Sequence, residues 1–195
     1  MVREVCWATC AVALALIVSM NNVSAQTWTK EPRAVLGVAL GRPLNESSVP
    51  RCEAGTTLPT DICLSKDSGL AEAPARFTIE RHPFPYADLT VVVDEAGIVS
   101  AVVAIMSSEK FGEFAATLVE RYGAPTSKTN EAWQAKSGAV FQSQALSWRG
   151  KVVTILAMER GHRVDRAVVA FNDNEAARRA EAAAKAKTQG AASKL

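Results

Sequence analysis

The sequence predicts an α+β fold: an antiparallel sheet of about five strands, one main amphipathic helix packed on one face, and a loose C-terminal helix. Three observations lead there. Two β-branched apolar runs flank a short turn near residue 95, a helical-period stripe follows them, and three further strand-like runs joined by short connections come after the stripe. The chain has 195 residues, 48% hydrophobic and 22% charged. Those proportions fit an ordinary globular chain and exclude a disordered, collagen-like or multi-span membrane protein.

The first 25 residues read as an export signal. Arg3 supplies the positive start and Val12–Val18 the apolar stretch, which Asn21 and Asn22 interrupt. Val23-Ser24-Ala25 presents compact residues at a peptidase site, so the expected cut precedes Gln26. The apolar stretch is short for a membrane span, and the mature chain has no second one, so no stable membrane insertion is expected after cleavage. A bacterial protein, periplasmic or secreted, is the expectation.

Cys6 and Cys10 leave with that signal, and Cys52 and Cys63 remain. In an oxidising compartment the pair is expected to form a disulfide stapling a Gly-, Pro- and Thr-rich loop. A zinc site with His82 and His162 lacks knuckle spacing, and a redox-active pair is normally closer, as in Cys-x-x-Cys.

Residues 26–88 form a disulfide-stapled, loop-rich part. Val35–Pro43 reads as a short strand or one helical turn, 42–75 as loop, and Phe77-Thr-Ile-Glu-Arg81 as an edge strand that Pro83 and Pro85 limit. Residues 89–174 carry the strand-strand-helix-three-strand core. Leu89–Asp94 and Ile98–Met106 make a hairpin about the turn Asp94-Glu-Ala-Gly97. Phe111, Phe114, Ala115, Leu118, Val119 and Tyr122 recur at helical spacing, with Ser107 or Ser108 as cap and Gly123 and Pro125 as stop. Ala139–Trp148, Lys151–Met158 and Arg163–Phe171 are antiparallel neighbours. In the middle run either Val153, Ile155 and Ala157 or the opposite set faces the core.

Charge is uneven: residues 26–174 hold 16 basic and 17 acidic side chains, and 175–195 hold 5 and 2. That alanine-rich tail reads as a frayed, solvated helix capped by Asn172 or Asn174, with Gln189–Leu195 disordered. A net +3 without aromatic residues is too little for a nucleic-acid or lipid foot, so no nucleic-acid partner is expected.

No catalytic, metal or cofactor constellation emerges. Ser147, His162 and Asp165 supply triad residue types without a nucleophile elbow, Asp94 and Glu95 point apart in their turn, and Gly37 and Gly41 match no phosphate loop. The candidate partner contacts are aromatic: Phe84 and Tyr86 in the proline-stiffened segment His82–Tyr86, and Trp148, with Trp133 sharing its core-or-surface ambiguity. Leu118-Val-Glu-Arg-Tyr-Gly-Ala-Pro125, a helix ending in Tyr-Gly-x-Pro before a meander, resembles small exported α+β modules. These include the outer-membrane assembly lipoprotein family, whose lipid-anchor cysteine this chain lacks, and the β-lactamase-inhibitor-like domains. That resemblance implies protein binding. The expected role is a non-enzymatic binding module for a protein or envelope component, using the sheet face or the Phe84 loop. The alternatives are an envelope-polymer hydrolase, which needs two close carboxylates in a cleft, and a small-ligand carrier, which needs an apolar cavity between helix and sheet.

Overall fold

The computed structural model describes residues 28–52, 62–66, 75–134, 138–161 and 163–192. The expected signal, residues 1–25, and His162 lie outside them. A small hairpin comes first, β1 (Ala34–Val35) with β2 (Val38–Ala39). Then follow β3 (Cys63–Lys66), β4 (Ala75–Glu80), β5 (Ala87–Val93), β6 (Val99–Ser107), α1 (Phe111–Tyr122), β7 (Ser127–Gln134), β8 (Val140–Arg149), β9 (Val153–Met158), β10 (Arg166–Asp173) and α2 (Asn174–Ala192). The α+β antiparallel class holds, but the main sheet has eight strands rather than about five, in the order β3-β4-β5-β6-β10-β9-β8-β7.

That order is two four-stranded meanders, each running from an edge to the centre, where their last strands β6 and β10 pair antiparallel from Arg166↔Ser107 to Asn172↔Ala101. The undercount has physical causes. Strand β7, Ser-Lys-Thr-Asn-Glu-Ala-Trp-Gln, is exposed almost throughout and shows no apolar alternation. Strand β3 is only four residues long, inside the segment expected to be loop. Its presence also moves β4 off the edge, because β4 pairs with β3 on one side and β5 on the other.

Helix α1 buries Phe111, Phe114, Ala115, Leu118 and Tyr122 against the sheet; Val119 is 40% exposed because at 100° per residue it falls on the rim of that stripe. The Ser107 hydroxyl accepts a hydrogen bond from the Glu109 amide and opens a 3-10 turn into the helix. At the other end Gly123, at φ 82°, donates its N–H to the Val119 carbonyl. Two indoles complete that terminus: Trp28 Nε1 donates to the Tyr122 carbonyl and Trp148 Nε1 to the Gly123 carbonyl, both at 2.8 Å. Tyr122 meets Trp28 and Phe171 edge-on at 6.2 and 6.0 Å. The core therefore lies between one sheet face and a lid made of α1 and the N-terminal residues Val35, Val38 and Leu40.

One hydrogen-bonded contact ties that lid down, and one close packing contact adjoins it. The Glu31 carboxylate accepts hydrogen bonds from the Val152 and Val153 amides, both at 2.5 Å, across the β8–β9 turn. A methyl group at Gly150 would collide with the same Glu31 oxygen and lie 2.8 Å from the Val153 carbonyl oxygen. The second contact is Asp173, buried at the end of β10, whose Oδ1 accepts from the Ala176 amide at 2.7 Å. Asp173, not Asn172 or Asn174, thus caps α2. Asn174 instead accepts from the Thr154 hydroxyl and donates to the Gly150 carbonyl. Gly41, at φ 69°, sits so close that a Cβ would come within 2.6 Å of Asp173 Oδ2. Beyond Ala176 the described side chains of α2 are exposed, as expected for the tail, although its helix continues past Gln189 to Ala192.

Phe114→Ala is predicted to cost about 3–5 kcal/mol in a denaturant titration, because the ring is fully enclosed between α1 and the sheet. Glu31→Ala and Gly150→Ala should each cost about 1–3 kcal/mol, by orphaning the part-buried Val153 amide and by displacing the carboxylate respectively. Because both act on one contact, the double variant should lose less than the two single losses combined.

Candidate binding surface

Residues directly opposite in a ladder share a sheet face, so the registers place every strand side chain. One face is covered: Leu89, Val102, Val169, Ile155 and Trp148 point at α1 and the N-terminal segment. The other face carries no helix among the described residues. Two rows of side chains cross it. One runs Asp88–Ile105–Val168–Met158–Ala145–Thr129 and the next Thr90–Val103–Ala170–Leu156–Ser147–Ser127.

Both rows have the same profile. Polar residues of β5 and β7 stand at the ends, and apolar residues of β6, β10 and β9 form a band three strands wide in the middle. Leu156 and Met158 are 38% and 37% exposed, and Ile105, Val103 and Val168 are half-buried. Arg76 and Arg149 bracket the band in a neighbouring row, and Arg166 lies beside it. At the far corner Trp133 stands opposite Phe141, over whose ring the Arg160 guanidinium sits at 5.0 Å. Glu159 and Arg160 lace this corner to β8, the Glu159 carboxylate accepting from the Gln144 amide and Arg160 Nε donating to the Gln142 carbonyl. The strands beneath the band are thus apolar on both faces, although only one face meets a lid.

The three aromatic residues singled out from the sequence do not converge. Trp148 is fully buried, its indole N–H spent on the Gly123 carbonyl, so it is core and presents nothing to a partner. Trp133 is the tryptophan on the open face. Phe84 and Tyr86 turn to the lid side instead: Phe84 packs edge-on against Phe114 at 4.9 Å and against Tyr86 at 6.3 Å. Lys110 Nζ lies 5.4 Å from the Tyr86 ring. Burial and the neighbouring Glu113 raise the Tyr86 hydroxyl above its ordinary pKa, so it stays protonated and donates to Glu113. Both rings remain half-buried at the margin of the lid.

Sequence reasoning left out Ile105, Leu156, Met158 and Val168. A signal existed, because Val153-Thr-Ile-Leu-Ala-Met158 is apolar on its second face at Leu156 and Met158. The structure resolves the choice of face, burying Val153, Ile155 and Ala157. The cysteines are joined as expected, Cys52 to Cys63, with Cα atoms 5.0 Å apart.

Other sites offer less. The cavity between α1 and the sheet, lined by Phe84, Leu89, Phe114 and Phe171, holds about 50 Å³, whereas a small-molecule pocket needs roughly 300–1,000 Å³. A cleft of about 530 Å³ lies between Arg33, Arg42 and the start of α2 and contains two carboxylates, Asp173 and Glu175. Both are engaged, Asp173 as helix cap and Glu175 with Arg179 at 3.7 Å. Ser147 Oγ lies 3.3 Å from Ser127 Oγ, and Asp165 pairs with Arg163 at 3.1 Å. Among the described residues no group of three or more His, Cys, Asp or Glu side chains could hold a metal.

His82 sits at the start of the Phe84 loop, where its Nδ1 accepts the Phe84 amide at 3.2 Å. Burial holds its pKa below the ordinary 6.5, against the opposing pull of Glu80 and Asp88. The unfolded chain therefore takes up the proton first as pH falls. The His82 contribution is complete above about pH 6.5 and diminishes below it until the folded imidazole also titrates. Denaturant titrations at pH 7.5 and 5.5 should accordingly show a larger acid loss for the wild type than for His82→Asn, and a nuclear magnetic resonance titration should put the His82 midpoint below 6.5. Compared with known proteins, the chain matches no family model, no curated protein and no solved structure.

Proposed function

We propose that this protein is an exported, non-enzymatic binding module, periplasmic or secreted, that takes a partner protein or an envelope component on the open face of its sheet. One observation carries the reading: an apolar band over β6, β10 and β9 faces solvent with polar residues on both sides. Soluble proteins seldom leave a contiguous apolar patch uncovered unless something binds there. A dry centre ringed by polar groups is also the anatomy of a protein interface. The central strands β6, β10 and β9, each paired on both sides, present such groups with little ordering entropy left to lose on binding.

The compartment supports this reading. The Cys52–Cys63 disulfide favours an oxidising environment outside the cytoplasm, and no helix among the described residues is long and apolar enough to cross a membrane. The half-buried Phe84 and Tyr86 lie at the lid margin and form a separate, smaller surface.

A photo-activated cross-linking residue at Leu156, tested in intact host cells beside controls at Glu120 on α1 and at Phe84, separates the surfaces. The predicted result is one dominant cross-linked species from position 156, absent at 120 and lost in Met158→Glu while circular dichroism stays native. The same products from positions 156 and 120, or none from 156, would remove the open face from consideration; a species found only at Phe84 would move the site to that loop.

A further inference from the structure

The two edges of the main sheet are treated differently. At β3 the outer edge is closed: Leu64 donates its N–H to the Pro50 carbonyl at 2.8 Å and accepts from the Cys52 amide at 2.9 Å. The disulfide holds that covering segment in place, and Arg51 seats its guanidinium 4.2 Å from the Phe77 ring. At β7 no backbone partner lies on the outer side among the described residues. The strand is eight residues long, pairs with β8 without a register shift, and contains no proline. A bulge, a proline or a covering segment would blunt such an edge, and among the described residues β7 has none of them, its one edge lysine being Lys128.

We propose that β7 pairs antiparallel with β7 of a second copy of this chain across a two-fold axis perpendicular to the sheet, centred on Asn130, joining the two sheets into one. The register follows from the faces and charges. Ser127, Thr129, Glu131 and Trp133 lie on the open face, and Lys128, Asn130, Ala132 and Gln134 on the other. A perpendicular two-fold keeps the faces, so each residue must meet one of its own set. Centring on Lys128 or Glu131 opposes like charges directly, which is destabilising. Centring on Thr129 or on Ala132 opposes no like charges but shortens the ladder, to residues 127–131 or 130–134, whereas centring on Asn130 pairs 127–133. Centring on Asn130 pairs Ser127–Trp133, sets Asn130 against itself, and places the Thr129 hydroxyl opposite the Glu131 carboxylate at both symmetric positions. Main-chain hydrogen bonds supply the affinity, as in other strand additions. One strand pair buries less than the roughly 1,200 Å² of a standard interface, so the dimer is weak, with a dissociation constant on the order of tens of micromolar. This inference is independent of the open-face reading, because it uses the edge and the backbone rather than the apolar band.

Analytical ultracentrifugation of the purified protein from about 1 to 200 µM tests it. The wild type is expected to shift from monomer to dimer over that range. Asn130→Lys and Asn130→Glu, both at an exposed position, should each weaken association about tenfold with native circular dichroism, since each sets like charges face to face on the axis. An equimolar mixture of the two variants should regain association at least as tight as the wild type. A wild type that stays monomeric throughout, a dimer indifferent to Asn130→Lys, or a mixture that fails to recover would each overturn the proposal.

Discussion

Everything in this structure depends on the ladder between β6 and β10. Every other ladder of the main sheet joins strands adjacent in sequence, whereas this one joins the last strands of two meanders, with α1 and three strands between them in the chain. It also assembles the core: Val102, Ala104 and Met106 of β6 and Ala167, Val169 and Phe171 of β10 point to the same side and form the floor on which α1 lies. Local hairpins provide the pieces, and a non-local pairing with its closure entropy makes them one sheet. Both central strands are accordingly apolar over most of their length and contain no proline.

Placing those strands at the centre has a consequence on the other side. A strand that must be apolar toward α1 and that also carries Val103, Ile105, Val168 and Ala170 on its reverse gives the sheet two apolar faces and only one lid. The lid is anchored at three separate points: the paired indoles at the end of α1, Glu31 over the β8–β9 turn, and Asp173 beside Gly41. Each anchor joins segments far apart in sequence and lies on the lid side or at the strand ends. Among the described residues the apolar band of the open face meets no corresponding anchor. Its interior is side chains alone, and its charged groups, Asp88, Arg76, Arg149 and Arg166, stand around the apolar band.

Legibility in the sequence followed periodicity. The Asp94–Gly97 hairpin was readable because β-branched runs flank a turn whose carboxylate accepts from the Ala96 and Ile98 amides, and α1 because its stripe repeats at helical spacing. Strand β7 was not readable: an edge exposed on both faces needs no alternation, and its residues equally suit a loop. The two tryptophans illustrate the second limit. Trp133 and Trp148 sit on neighbouring strands in similar local sequence, and only the register, which pairs Trp148 with Ile155 and Trp133 with Phe141, puts one in the core and the other on the open face. For the same reason Phe84 could be recognised as a ring in a stiff loop, while its contact with Phe114 depends on where the helix crosses the sheet. The cap of α2 went to Asp173 rather than to an asparagine because β10 ends with that side chain pointing into the lid, a fact of strand parity that residue preference alone does not contain.

The unequal edges bring these strands together. An eight-stranded sheet about 34 Å across has two ends at which backbone hydrogen bonding must stop. Closing the β3 edge takes a covalent bond, a proline and an arginine stacked on Phe77, concentrated on the shortest strand of the main sheet. Strand β7 is twice as long and carries one lysine and one glutamate on opposite faces. A single lysine repels a second copy only when set against itself, and shifting the register to Asn130 removes that clash. The charges on β7 therefore select a register rather than forbid pairing, and what closes one edge within the chain is left at the other for a second chain to supply.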